Sequence, residues 1–349
     1  MNINRRTLIT SGGAAVTVMA AGGTWWALNR ETTPKGASSR IDLLAGAYAG
    51  AEHETDPQQF VMLSLVGGMP NNTSMDVRVF DLEGASLPAP ASVAATLTNL
   101  ITGESTDQVS VTITNTALHL EQDAIQSNGW WQLRVDMDDL TASWTFLMPD
   151  PNLTGFETPP AVETDPDAEA MLSAALNVLV NHTSMRWWQW LSGGNGAIIL
   201  SRFSITTPAS NGMPPSFESD SILAGRIPLD GSAPRFQVDN PRSVTVGDEA
   251  MRYGTGSTPE AINPVQYLPL EQYDTTYDGH DGVHFGMTAE IDGRTCQLVT
   301  FHLPQGVEAW LAFWIDIDTL ILRELFMVSV NHYMHWVYYD IDEPFELAF

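Results

Sequence analysis

A mainly β protein of two domains, with one helix opening the second, is what this sequence predicts. Three observations carry the expectation. Residues 57–150 hold short segments of alternating apolar and polar character, separated by turn residues. A Pro-rich acidic connector follows at 151–166. Residues 167–349 open with one helical apolar stripe and continue as hairpins.

The first domain contains candidate strands at 59–66, 74–81, 92–97, 109–114, 130–137 and 142–148. Along the second of these, Val77 and Val79 face opposite Asp76 and Arg78, the period-two pattern of a half-buried strand. Turn material such as Gly67-Gly68-Met69-Pro70-Asn71-Asn72 and Ser127-Asn128-Gly129 lies between the strands. Short strands at regular spacing predict a β-sandwich of immunoglobulin type, with Trp130, Trp131 and Trp144 as core anchors. Met62, Met69, Met75, Met137 and Met148 read mostly as core, and His119 is the only histidine of the domain. The runs Val77–Gly84 and Gly129–Val135 resemble small exported sandwich domains of the YtkA and FixH type.

At the start of the second domain Asp165 is placed to cap a helix. Pro166 suits its first turn, and Met171, Leu172, Ala175, Leu176, Leu179 and Val180 share one face. Strands then pair around Ser192-Gly-Gly-Asn-Gly196, Gly247-Asp248, Asp292-Gly293 and the turn at 316–319, with a last strand at 333–339. Residues 206–221 read as a polar loop. The late strands are almost continuously apolar, as in Ala309-Trp-Leu-Ala-Phe-Trp-Ile315. A strand with one wet face alternates, so both faces of this sheet need a cover. The helix supplies one, and another domain or a ligand supplies the other.

The order helix, aromatic strand, Gly-rich hairpin, Trp314-Ile-Asp316 with Thr319, Met327, His332-Tyr-Met334 and Tyr338-Tyr-Asp340 resembles the periplasmic LolA-like and LppX-like lipoprotein and lipid carriers. The resemblance implies an antiparallel half-barrel closed by helices over a cavity for acyl chains. The expected partner is then a lipid or a lipidated protein. This chain departs from the LppX pattern in lacking an N-terminal lipid-modified cysteine, which leaves a more general hydrophobic ligand.

Composition and charge narrow the function. Of 349 residues, 44% are apolar, enough for packed cores. Acidic residues number 42 against 15 basic ones, a net charge of -27, and Lys35 is the sole lysine. Nucleic acid is excluded as a partner, since phosphate contacts need clustered Arg and Lys. The single cysteine, Cys296, permits no intrachain disulfide and reads as a buried thiol.

The first 28 residues carry Asn4-Arg5-Arg6-Thr7-Leu8-Ile9 and then no charge from Leu8 to Leu28. This resembles a twin-arginine export signal, with a general secretory signal as the alternative. Residues 20–23 are small enough for a processing site. Uncleaved, residues 8–28 would anchor the chain on the outer face of the cytoplasmic membrane, with Trp25 and Trp26 at the interface. The expected location is extracytoplasmic. Residues 29–56 read as a tether, partly helical at most, with an apolar patch at 41–44.

No nucleophile, zinc-protease or phosphate-loop motif is present, so a non-catalytic binding protein without a cofactor is the expectation. The candidate apolar lining is Trp187, Trp190, Trp310, Phe313, Trp314, Met327 and Trp336, with ordinary core as the alternative for the tryptophans. His332 and Met334, with Met327 nearby, are candidate copper ligands under a second reading as an envelope metal-handling protein. On a strand, His332 and Met334 point one way and His335 the other. A structural scaffold module is the third reading.

Overall fold

In a computed structural model, the described residues are 40–347 apart from 53–55, 107–108, 110, 114–116, 121–123, 155–157, 194–196, 207–215, 227–234, 238–241, 255, 257, 264–276, 306–307 and 330–331. The expected export signal and the first part of the tether lie outside them.

The first domain is a sandwich of two antiparallel sheets. Strands β1 (Ile41–Ala47), β2 (Gln59–Met69), β3 (Asn72–Phe80), β6 (Val111–Ile113) and β7 (Leu118–Leu120) form one sheet in the order β1-β2-β3-β7-β6. Strands β4 (Val93–Asn99), β5 (Ser105–Thr106), β8 (Gly129–Met137) and β9 (Leu140–Met148) form the other, in the order β5-β4-β8-β9. The expected alternation holds in β3, where Met75, Val77 and Val79 face the core, and Trp130, Trp131 and Trp144 are buried. Met62, Met75, Met137 and Met148 are buried too.

The tether reading fails at 41–47, which is strand β1. Every residue of that strand is buried, with Leu43 turned into the sandwich core and Leu44 toward the second domain. A strand covered on both faces shows no alternation, and its Ala and Gly residues carry little strand propensity.

The second domain opens with α1 (Pro166–Leu179). The Asp165 side chain accepts a hydrogen bond from the Asp167 backbone N–H at 2.8 Å, the predicted cap. Leu172, Ala175, Leu176 and Leu179 are its buried stripe. A twelve-stranded antiparallel sheet follows: β10 (Ser184–Gly193), β11 (Ala197–Thr206), β12 (Ser216–Arg226), β13 (Arg235–Gln237), β14 (Arg242–Val246), β15 (Glu249–Tyr253), β16 (Glu260–Ala261), β17 (Asp281–Ile291), β18 (Arg294–Leu303), β19 (Ala309–Asp316), β20 (Leu322–Ser329) and β21 (His332–Tyr339). Its order is β16-β15-β14-β12-β11-β10-β21-β20-β19-β18-β17, with β13 beside β12. It is therefore two meanders joined where the first strand, β10, pairs with the last, β21. The expected loop at 206–221 is overtaken by β12 from Ser216 onward, since its residues find a ladder partner in β11.

Both faces of this sheet are covered. One packs on α1 and Tyr277. The other packs on the sandwich, through a shared core that includes Cys296, Leu298, Trp314 and Phe326. The cover left open by the sequence is thus the first domain. The Met287 N–H donates to the Leu100 carbonyl across the seam at 2.7 Å. Gly286 permits this approach: a Cβ there would stand 2.5 Å from the Leu100 oxygen. Among the described residues no helix is long and apolar enough to cross a membrane.

Candidate functional site

Strand register sorts the aromatic residues into two sets. Directly opposed residues of antiparallel neighbours project to the same side. One row therefore runs Val299, Phe313, Leu325, Trp336, Gln189, Ser201 across β18, β19, β20, β21, β10 and β11, on the side that faces α1. The neighbouring row is Phe301, Leu311, Met327, Met334, Leu191, Ile199. Trp187 stands two residues from Gln189 on β10, stacked on Phe203 at 5.0 Å, with Trp336 at 6.3 Å.

Of the expected lining, Trp187, Phe313, Met327 and Trp336 meet on this helix-facing side. Trp190, Trp310 and Trp314 project the other way and pack against the sandwich. The parity of the numbers already separates Trp187 from Trp190, and Phe313 from its two tryptophan neighbours. His332 and Met334 fall on one side, as strand geometry requires, with Met334 directly opposite Met327. Among the described residues no group of three or more His, Cys, Asp and Glu is placed to hold a metal.

The helix-facing side is apolar with a few polar exceptions. Gln189 is 3% exposed, and its side-chain oxygen has no hydrogen-bond partner. The indole nitrogens of Trp187 and Trp336 are buried and equally without a partner. The opposed rows on this side hold no arginine or lysine. The sequence reading passed over Gln189. Its signal is a lone polar residue inside Trp187-Trp-Gln-Trp190, on a strand covered on both faces.

The seam with the sandwich carries two polar clusters that the sequence reading also missed. In the first, His335 lies with Nε2 at 3.1 Å from Glu324 and Nδ1 at 3.9 Å from Glu52, stacked on Phe326. Burial pushes the Glu52 carboxyl up to about 7, partly offset by the charge of His335. Burial works against the charged form of His335, but Glu52 and Glu324 outweigh it and raise its pKa. In the second, the Asn152 amide donates to the Tyr333 hydroxyl at 2.8 Å, and that hydroxyl donates to Asp150 at 3.0 Å. Burial lifts Asp150 to about 6 despite these bonds. The connector is therefore not a free linker at its start, because Asp150 and Asn152 are buried in the seam. No motif announces either cluster, since each joins residues far apart in sequence.

No protein-family model and no curated protein matches the sequence. Among solved structures, the chain is similar to LprF from Mycobacterium bovis, at 10% identity and a TM-score of 0.40, covering 53% of this chain and 98% of that one. It is similar to the lipoprotein LppX of Mycobacterium tuberculosis, at 12% identity and a TM-score of 0.37, covering 53% of this chain and 100% of that one. A LolA superfamily protein from Nitrosomonas europaea matches at 11% identity and a TM-score of 0.23, over 52% of this chain and 94% of that one. Likeness at this level leaves the family open.

Proposed function

We propose that this is an exported, non-catalytic carrier that takes a lipid or another hydrophobic ligand onto the helix-facing side of its large sheet. The carrying observation is a mismatch of areas. Apolar side chains line that side from Phe217 on β12 to Val283 on β17. A 14-residue helix is about 21 Å long and about 10 Å wide, whereas the eight strands from β12 to β17 span roughly 35 Å along the sheet. The helix makes its main strand contact with β17, at one end of that span. The remaining apolar side is the surface on which a ligand would exchange with the protein's own cover. Binding would remove acyl or alkyl chains from water, with no covalent step.

The lining under this proposal is Trp187, Phe313, Met327 and Trp336. Trp190, Trp310 and Trp314 hold the sandwich instead. The test is native mass spectrometry of the chain purified without detergent, with organic extraction of bound material and a second measurement after adding lipid. A lipid retained by the wild type and lost from a folded Met327→Glu variant supports the reading. A protein that carries nothing and ignores added lipid rejects it. Met327 suits the test because it is only partly buried, so the variant should keep its fold.

A further inference from the structure

The carrier reading says nothing about the ligand's polar end, and the helix-facing side constrains that end. Trp187 Nε1, Gln189 Oε1 and Trp336 Nε1 are sealed from water there and lack a hydrogen-bond partner, and the buried Tyr338 hydroxyl lies on the same side, on the residue directly opposite Trp187. The first three belong to adjoining positions. Gln189 and Trp336 are directly opposed on β10 and β21, and Trp187 follows on the same side of β10 with its ring 6.3 Å from that of Trp336. Their residues are 1%, 3% and 7% exposed, in chain order. Native proteins leave few buried polar atoms unsatisfied, because each forfeits its bonds to water. Three together in one apolar wall call for a partner.

Other buried indole nitrogens lie on the seam side, at Trp188, Trp190 and Trp314, that of Trp190 interacting with Glu52 and Tyr48. Those are held between two packed domains, on a surface that the sandwich already occupies. The helix-facing trio sits on the side proposed to exchange its cover.

The chemistry of the trio is specific. Two indole N–H groups donate only, and a carboxamide oxygen accepts only. Their complement must accept and donate together. A hydroxyl or a secondary amide does so; a hydrocarbon does neither, and an ester or carboxylate only accepts. Charge sharpens the choice further. No Arg or Lys belongs to the rows of opposed residues that surround the trio. An anionic headgroup brought to this wall would therefore be desolvated without a counter-charge.

Resting on the carrier reading, we infer that Trp187, Gln189 and Trp336 form a subsite for the uncharged polar group of a neutral amphiphile. This group is a hydroxyl or amide attached to a long acyl or alkyl chain. The surrounding rows, from Phe313 through Leu325 and from Leu311 through Met327 to Leu191, take the chain.

The experiment uses the full chain and three probes: 1-oleoylglycerol (neutral, with hydroxyls), oleate (anionic) and 1-octadecene (no polar group). Dissociation constants are read by titration calorimetry below each probe's aggregation threshold. The wild type is expected to bind 1-oleoylglycerol about tenfold or more tightly than either other probe, the scale of one to two satisfied buried hydrogen bonds. Gln189→Leu and Trp336→Phe are each expected to erase that preference by weakening 1-oleoylglycerol binding more than octadecene binding. Urea midpoints for both variants establish that they fold. Three equal affinities, or a preference for oleate, overturn the subsite and leave the carrier reading in place. A preference that survives both substitutions also overturns the subsite. A folded wild type that binds none of the three removes both.

Discussion

The Glu52 carboxyl makes the contact between the two domains sensitive to pH, and the size of the effect follows from its position. Burial raises it from 4.5 to about 7, with 17% of the side chain still exposed. Between those values the folded state keeps a proton that the unfolded chain releases. Stability therefore falls as pH rises from 4.5 through 7 and levels off above. The displacement of about 2.5 units corresponds to roughly 3 kcal/mol in full, at about 1.4 kcal/mol per unit. Of this, about 2 kcal/mol is lost between pH 5 and pH 8. His335 adds in the same direction. Its raised pKa contributes stability that is complete below 6.5 and lost as pH climbs through the folded value. Asp150, lifted from 3.8 to about 6, acts likewise over a lower window. Glu52→Gln removes the first contribution and weakens the second, because Glu52 is the main charge sustaining His335. The assay is urea denaturation at pH 5 and pH 8, followed by tryptophan fluorescence, for wild type and variant. The wild type should lose at least about 2 kcal/mol more than Glu52→Gln across that range. Equal losses in the two proteins would refute the assignment, and a wild type that gains stability toward pH 8 would reverse its sign.

Three other outcomes follow from named contacts. Asp165→Ala removes the side-chain acceptor at the start of α1. It should cost about 1 kcal/mol, read as a lowered urea midpoint, with Asp165→Asn recovering most of it. Gly286→Ala places a Cβ 2.5 Å from the Leu100 carbonyl oxygen and 2.7 Å from Leu298 Cδ2. It should loosen the seam by about 1–3 kcal/mol and speed proteolysis at the domain junction, whereas Gly293→Ala, with open space around it but a φ of +69°, should strain its own turn and leave the seam untouched. Tyr333→Phe strips Asp150 of its hydroxyl donor and the Asn152 amide of one acceptor. A loss of about 1–3 kcal/mol at pH 8 is expected, shrinking at pH 4, where Asp150 is protonated in the fold.

Local signals carried most of the elements. Asp165-Pro166 and the 171–180 stripe define α1 because a helix cap and an amphipathic face are properties of a short window. Asp292-Gly293 and Gly247-Asp248 place their hairpins for the same reason: a tight turn demands particular backbone conformations at particular residues. The two-sided apolar runs of β19 and β20 required a second cover. Even the division of the tryptophans was written in odd and even positions, although grouping them by residue type concealed it.

What the sequence by itself determined is therefore the strand and helix vocabulary, the two-domain order and the demand that both sheet faces be covered. These follow from backbone preference and from the spacing of apolar residues, which act over a few positions. Only the tertiary structure decided what the cover is. It assigned the sandwich to the face of Trp190, Trp310 and Trp314, drew 41–47 into that sandwich as a strand, and paired β10 with β21. The β10–β21 pairing and the seam contacts join residues more than a hundred positions apart, and no local preference encodes them. They also create the buried groups that carry the chemistry. Glu52 meets His335, Asp150 meets Tyr333, and Gln189 is sealed beside Trp336, because burial and neighbourhood come from the assembled fold alone.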